Sequence, residues 1–533
     1  MILNLNSAQQ AVADAVQGDW VCIAGPGSGK TATLIQRYLG MITKYGIQPA
    51  DILNLTFTNS AACEMVERVG LLDAKKVFRT FHSFALDLLQ RERQHVKIPL
   101  CDTIIPVYGE DFKLMKELVN IYPAITSFRA LKDKLSEWKA SNISPERAIE
   151  EGYYRGTEFF YAQAYKDYER RCREEGWLDF DSLMKETVKL LEENNEVRTR
   201  NQRKYISVDE CQDTDVIQFQ LLKLIYGGNI FVVGDENQLI YEWRSAQAGN
   251  LSNFARTFPG AKTLYLGQNY RSTKALVAFF KRILPVDNGL ASYMTSERPE
   301  GEPPTFTQFR DEFEEHAVVI DGIIDYPNSA VLARTNRQLQ SFQKRCMAIG
   351  LKSKILGRKN VWEENEVRHL IDLAKKYEHD YLPAHQVLTK LISDHNLAYT
   401  YRNSGNPNEK DPIENLNDVV KMSAKKGSLR EFLAWFRKLI YGAKSDKKPC
   451  LTLSTVHQAK GREWKHVYVI GCSQGIMPHK DGELLEEHRI FFVACSRAAD
   501  TLDISFSGSR SQFLNEFIDQ IEIYEDEREQ DVT

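Results

Sequence analysis

The sequence predicts an α/β protein with two parallel sheets, each in its own half of the chain. Three observations predict it. Short apolar runs such as "WVCIAG" from Trp20, "YISVDE" from Tyr205 and "HVYVIG" from His466 recur along the chain. They lack the in-out alternation of half-exposed strands, so they suit strands buried on both faces. Helix-like amphipathic stretches separate most of them, as parallel connections require.

The first set of runs is completed by "ILNLTFTN" from Ile52 and "IFVVGD" from Ile230. The second comprises "TLYLGQ" from Thr263, "AVLARTN" from Ala330, "LTLSTVH" from Leu451, the run from His466 and "TLDISFS" from Thr501. A helix-like, charge-rich stretch interrupts each set. The predicted layout is a first α/β domain over 1–86 and 178–264 with a helical insertion over 87–177. A second spans 265–376 and 449–522 with a smaller helical insertion over 377–448. The acidic tail 523–533 is expected to fray.

At 533 residues the chain is too long for one core. With 43% hydrophobic and 27% charged residues, a net charge of −4 and a pI near 6.3, it does not coat nucleic acid through bulk basicity. A local basic channel stays compatible with those numbers. The nine cysteines form no CxxC pair, so no zinc or iron–sulfur site is expected, and the unclustered set suits a reducing compartment. "MILNLNSAQQ" lacks a basic leader with a long apolar core, and no apolar run approaches the roughly 20 residues of a membrane helix. A cytoplasmic protein with no membrane partner is expected.

"IAGPGSGKT", Ile23 to Thr31, lies between a strand-like run and a helix-like one. Its glycines let backbone N–H groups turn inward as an anion nest at a helix N-terminus. Ala24, Gly25, Pro26, Gly27, Ser28, Gly29, Lys30 and Thr31 therefore read as a phosphate-binding loop. Lys30 would reach the outer phosphates and Thr31 would hold Mg²⁺. In "YISVDECQDT" the apolar run places Asp209 and Glu210 at a strand's C-terminal end, where α/β sheets bind ligands. Asp209 would support Mg²⁺ through water, and Glu210 would take the proton from the attacking water. ATP with Mg²⁺ is the expected ligand.

The blocks "VDECQDT", "GDENQLIYEWR", "QNYRS", "TVHQAKGREW" and "FFVACSRA" follow the phosphate loop in order. In this order they resemble the UvrD/Rep family of superfamily-one DNA helicases, over nearly the whole chain from Leu5 to Arg497. The resemblance implies two RecA-like ATPase domains. It makes Gln9 the reader of adenine, Tyr270 its stacking partner, and Arg271 and Arg497 the residues that neutralise charge at the γ-phosphate. Because these two Arg follow the second unit's boundary, ATP is expected between two domains. Gln238 would sense the γ-phosphate, Glu463 would accept from the ribose, and Gly461 would permit close approach. Ala32 and Arg37, just after the loop, are included among the nucleotide-contacting positions.

The same resemblance places single-stranded DNA against Phe57, Thr58, Asn59, Thr80, Phe81, His82, Tyr241, Trp243, Arg244, Thr455 and His457. Stacking rings and phosphate contacts are what sequence-tolerant single-strand binding needs. For Phe57 and Phe81 core packing and base stacking fit equally well. "WLDFDSLM" from Trp177 resembles the block where the first insertion rejoins the core, and Trp362, Glu363 and Glu366 fall in register with a second-domain block.

Three departures stand out. Ala32 replaces an Arg common in relatives, Ser60 replaces a Lys, and the second insertion is short. The basic stretch from Lys425 could still meet duplex phosphates, although a solvated helix face fits it as well. The implied activity is an ATP-driven translocase moving 3′→5′ on single strands and unwinding duplex, with single/double-strand junctions as substrates. The alternative is a nucleic-acid-sensing ATPase subunit of a repair, recombination or anti-phage defence complex. A nuclease or a replication or repair factor would then be its partner.

Overall fold

The computed structural model describes residues 4–71, 73–96, 110–152, 156–241, 249, 251–252, 254–357, 364–377, 382–401, 412–424, 426–445 and 450–524. The chain divides into two compact units, 1–299 and 300–533.

The first unit is built on a six-stranded, fully parallel sheet. Its strands are β1 (Trp20–Ala24), β2 (Ile52–Thr56), β3 (Phe78–Thr80), β4 (Arg203–Val208), β5 (Tyr226–Gly234) and β6 (Lys262–Leu266), in the spatial order β3-β2-β4-β5-β1-β6. Alternate side chains feed two cores. Val232 faces the helices Phe81–Arg91, Phe180–Glu193 and Val216–Ile225, whereas Phe231 and Val233 face the helices Ser7–Asp14 and Lys30–Thr43. Burial on both faces is why these strands read as continuous apolar runs. The crevice at the strands' C-terminal ends is where β1 meets the phosphate loop and β4 meets Asp209.

Helices Glu110–Ile121, Phe128–Ala140, Pro145–Gly152 and Thr157–Glu175 form the first insertion around their own core of Leu131, Leu135, Trp138 and Tyr165. The helix Phe81–Arg91 packs into the sheet core through Phe84, Leu88 and Leu89, so the insertion begins after it rather than at residue 87. Lys139 fixes the insertion to its root. Its buried Nζ reaches Asp179 Oδ2 at 2.5 Å, Glu169 Oε1 at 2.7 Å and Ser182 Oγ at 2.8 Å. Burial pushes the Asp179 carboxyl up, and Lys139 more than offsets this, holding it at about 2.

The stretch 265–299, expected to open the second domain, makes most of its contacts within the first compact unit. There β7 (Gln268–Asn269) pairs with β8 (Thr295–Ser296), and Gly25 donates its N–H to the Leu266 carbonyl at 2.9 Å. A carbon side chain at Gly267 would lie 2.2 Å from the Tyr293 carbonyl oxygen, so only glycine lets the two segments close.

The second unit holds a seven-stranded parallel sheet: β9 (Thr305–Phe309), β10 (Ser329–Ala333), β11 (Ser353–Ile355), β12 (Leu451–Thr455), β13 (Trp464–Val469), β14 (Ala498–Ser507) and β15 (Ile521–Ile523). Its order is β11-β12-β10-β13-β14-β9-β15. Ile523, the expected start of the frayed tail, still belongs to the edge strand. The second insertion starts earlier than position 377. Helix Asn365–Ala374 contributes Val367, Leu370 and Ile371 to the same core as helices Ala384–Asp394, Pro412–Ala424 and Leu429–Ser445. Among the described residues no helix is long and apolar enough to cross a membrane.

Candidate nucleotide site and strand-binding edge

The phosphate loop leaves β1 and ends in the helix Lys30–Thr43. Gly27 and Gly29 adopt φ +66° and +77°, a region side chains rarely enter. Gly27 also admits no carbon side chain, because Asn269 Oδ1 would lie at 2.7 Å and Arg271 Cβ at 2.8 Å. Ser28 Oγ donates to the Gly25 carbonyl at 2.7 Å and tightens the loop. Lys30 Nζ points back along it, 3.4 Å from the Ala24 carbonyl. Thr31 and Ala32 occupy the first helical turn, half-buried.

Gln9 and Tyr270 meet beside this loop. Asn6 caps the first helix, receiving the Gln9 N–H on Oδ1 at 2.7 Å, and its own N–H donates to Gln9 Oε1 at 3.2 Å, which sets the Gln9 side chain. Gln9 Nε2 donates to the Ser28 carbonyl at 3.1 Å, and the Tyr270 hydroxyl donates to Gln9 Oε1 at 3.4 Å. The Tyr270 ring is 47% exposed, so a face is open for stacking. Its N–H is bonded to the Gly27 carbonyl at 2.9 Å. Asn269 Oδ1 accepts the N–H groups of Arg271 and Ser272, both at 2.8 Å. Arg271 is thus tied to the phosphate loop, and its contacts lie within 1–299.

Asp209 and Glu210 follow β4. Glu210 has φ +50°, an uncommon conformation for a non-glycine residue, and it turns the chain at the strand's end. Burial, with the adjacent Glu210 carboxylate, pushes the Asp209 carboxyl up to about 7, while Lys30 pulls the other way. Burial also raises Asp235, against the pull of Lys30. Asp209 and Asp235 therefore share the field of Lys30 with Glu210 beside them, a carboxylate set that fits a divalent cation beside phosphates. Among the described residues no group of three or more His, Cys, Asp or Glu is arranged to hold a metal ion. A magnesium ion would lean on phosphate oxygens and water, its usual preference.

Arg37 is not at this site. Its side chain is buried, donating to Ser207 Oγ and the Ala15 carbonyl at 3.0 Å each and lying 4.7 Å from the Phe231 ring centroid. Seven residues past Lys30 is nearly two helical turns, so Arg37 shares the face of Lys30 but lies about 10 Å further along the axis, beside the sheet rather than at its end, and is a core residue.

After β5, Asp235 caps a short turn, and Gln238 Nε2 donates to Asp235 Oδ2 at 2.7 Å. Three residues on, Tyr241 stacks on Phe57, with ring centroids 6.0 Å apart and planes 21° apart. Thr58 and Asn59 follow Phe57, exposed at the start of the next helix, where Thr58 Oγ1 accepts the Ala61 N–H. His82 packs edge-on against Phe180, whose ring is 47% exposed. Phe180 lies in the "WLDFDSLM" block, but only its exposure beside His82 marks it as a surface ring. Thr80 and Phe81 are corrected by the structure. Thr80 is buried as the cap of helix Phe81–Arg91, and Phe81 is a core ring, because the capping box with Ser83 turns that first residue inward. Trp243 and Arg244, like Trp362 and Glu363, lie outside the described residues. Glu366 is buried and accepts from Asn415 Nδ2 at 2.7 Å inside the second insertion.

In the second unit, Thr455 ends β12 and is buried, with His457 half-buried two residues on. Gly461 has φ +79° and is exposed, as is Glu463. Arg497 is held by its own unit: Nε donates to the Val493 carbonyl at 2.9 Å and Nη2 to Ser496 Oγ at 2.8 Å. These contacts aim a buried guanidinium from the end of helix Leu484–Cys495.

Comparison with known proteins agrees with this geometry. The UvrD/REP helicase N-terminal domain matches residues 5–259, and the UvrD-like helicase C-terminal domain matches 264–379 and 372–509. An ATP-dependent DNA helicase PcrA of Staphylococcus aureus is 26% identical, covering 96% of this chain and 84% of that protein. A PcrA of Staphylococcus epidermidis is 26% identical with the same coverage. The phosphate loop, the carboxylates at the end of β4 and the paired Gln9 and Tyr270 thus sit in a chain that belongs to the UvrD/REP helicase family, and by that membership it is an ATP-dependent DNA helicase.

Proposed function

We propose that the protein moves 3′→5′ along single-stranded DNA, driven by ATP hydrolysis, and unwinds the duplex ahead of it. The observation that carries this reading is the span from Asp235 to Tyr241. At one end Asp235 lies in the field of Lys30 and Glu210 and is bonded to Gln238; at the other Tyr241 stacks on Phe57. One short segment reaches both the nucleotide residues and a stacking surface.

Bound ATP and its magnesium ion supply the phosphoryl group and the divalent charge. Thr31 and Asp209 would hold the metal, and the phosphate loop's N–H groups and Lys30 would hold the phosphates. Glu210 takes the proton from the attacking water. Gln9 and Tyr270 orient the base. Arg271 counters charge from the first unit. Arg497, Gly461 and Glu463 belong to the second unit and take their roles from the family resemblance, as do Thr455 and His457 on the strand. Phe57, Tyr241, Trp243, Arg244 and His82, with Thr58 and Asn59, form the track, and exposed Phe180 extends it. The protein would work in the cytoplasm on single strands and single/double-strand junctions.

The small second insertion, a bundle over 365–445, favours a second reading. In it the chain senses nucleic acid inside a repair, recombination or defence complex, gates a partner such as a nuclease, and unwinds little. Strand displacement by the purified protein with ATP and Mg²⁺ separates the two. A 3′-tailed duplex is expected to be displaced and a 5′-tailed one left intact. The opposite preference rules out the polarity, and no displacement of either favours the second reading.

A further inference from the structure

Gln212 has no role in the reading so far, yet it occupies the middle of the site. It is 1% exposed, on the short turn Cys211–Asp213 after Glu210. Both ends of its amide are engaged. Nε2 donates to Glu210 Oε2 at 2.6 Å, and Oε1 accepts the Asp235 N–H at 3.0 Å. Asp235 Oδ2 in turn accepts Gln238 Nε2 at 2.7 Å. A continuous path of hydrogen bonds therefore runs from the Glu210 carboxylate to Gln238. From there three residues of chain lead to Tyr241 and its partner Phe57.

Two further observations show that the place is built for this amide. A carbon side chain at Gly234 would lie 2.2 Å from Gln212 Oε1, so the amide holds its present place only because β5 ends in glycine. The uncommon backbone of Glu210, at φ +50°, brings its carboxylate and Gln212 onto one side of the turn. A residue that only filled space would need neither a glycine opposite nor two matched partners.

We propose that Gln212 is a positioning residue: it orients the Glu210 carboxylate towards the attacking water and links that orientation to the Asp235–Tyr241 segment. The proposal rests on the reading of Glu210 as the base and of Tyr241 as part of the track. Its consequence is directional. A strand pressing on Tyr241 shifts the segment, the Asp235 N–H moves with it, and Gln212 carries the shift to the base. DNA stimulation of hydrolysis then needs no contact between DNA and Glu210.

The test uses the full chain and two variants that keep the side chain's size. Gln212→Met removes both hydrogen bonds. Gln212→Glu keeps an acceptor for the Asp235 N–H and loses the donor to Glu210. ATP turnover is measured with and without single-stranded DNA, over a range of ATP concentrations, on variants whose melting matches the wild type. Gln212→Met is expected to lose about 10-fold or more in kcat with KM for ATP within about 3-fold, and to lose stimulation by DNA. Gln212→Glu is expected to lose kcat and keep the fold-stimulation. Gly234→Ala, which displaces the amide from the other side, should reproduce the methionine variant. Wild-type kcat and stimulation in Gln212→Met overturn the proposal and leave the proposed function standing. Absence of DNA-stimulated turnover in the wild type overturns both.

Discussion

The nucleotide end and the strand end of the first unit are built in opposite ways. At the nucleotide end nearly every polar group is engaged by another: Gln9 by Ser28 and Tyr270, Asn269 by Arg271 and Ser272, Gln212 by Glu210 and Asp235. Buried charge is tolerated there, and Asp209 bears its cost in a carboxyl pushed up to about 7 by burial and by Glu210. At the strand end the described contacts are between rings: Phe57 on Tyr241, and exposed Phe180 against His82. Phosphoryl transfer needs groups fixed before the reaction begins, since reorganising them would cost rate. A track that accepts any base needs only faces to stack on. The connection between the two is correspondingly narrow, and it passes through Asp235 to Tyr241.

The comparison predicts that damage at one end spares ligand binding at the other. The largest effect is expected from Lys30→Ala, which removes the ammonium that pulls on Asp209 and Asp235. ATP turnover should fall by more than about 100-fold while single-strand binding stays within a few-fold. Full turnover in that variant would remove the phosphate loop from the active site. Tyr241→Ala should weaken the strand instead. Single-strand affinity, read by fluorescence anisotropy, should fall by about 1–3 kcal/mol, with ATP binding unchanged. Equal losses in both ligands would mean that the two ends are not separate.

The smallest effect lies in the cost of buried charge. Burial, with the Asp181 carboxylate adding to it, pushes Asp215 up to about 7. This folded-state value lies above the unfolded one near 3.8, so the folded protein holds the extra proton between them. Stability therefore falls as pH rises from about 4 to 7, and the cost is complete above that. Asp215 also caps the helix Val216–Ile225 by accepting the Gln218 N–H, which asparagine can do as well. Asp215→Asn should raise stability by about 1 kcal/mol at pH 8 and leave it unchanged at pH 4, measured by denaturant unfolding. A gain that is the same at both pH values would place the effect elsewhere.

Much of this was legible in the sequence. The phosphate loop carries its own glycine spacing, and the carboxylates follow an apolar run that could only be an inner strand. Both sheets were legible because burial on two faces leaves unbroken apolar runs. What escaped was long-range. Arg37 looks like any arginine near a phosphate loop until two turns of helix carry it away from the loop and over Phe231. Phe81 looks like a free ring until the Thr80 cap turns it inward. The attachment of 265–299 to the first unit depends on a glycine closing on Tyr293, which no local pattern announces. Gln212 was invisible for a related reason, since its meaning lies in two partners, one of them 23 residues away.

The central claim is that one segment joins hydrolysis to the strand, and saturating DNA tests it most directly. Turnover of ATP is measured for the wild type and Tyr241→Ala at rising single-strand concentrations until each plateaus. Coupling predicts that the variant, once saturated, still plateaus near its DNA-free rate while the wild type is stimulated about 10-fold or more. If excess DNA restores the variant to the wild-type plateau, Tyr241 only binds the strand, and the claim that this segment transmits the signal is wrong.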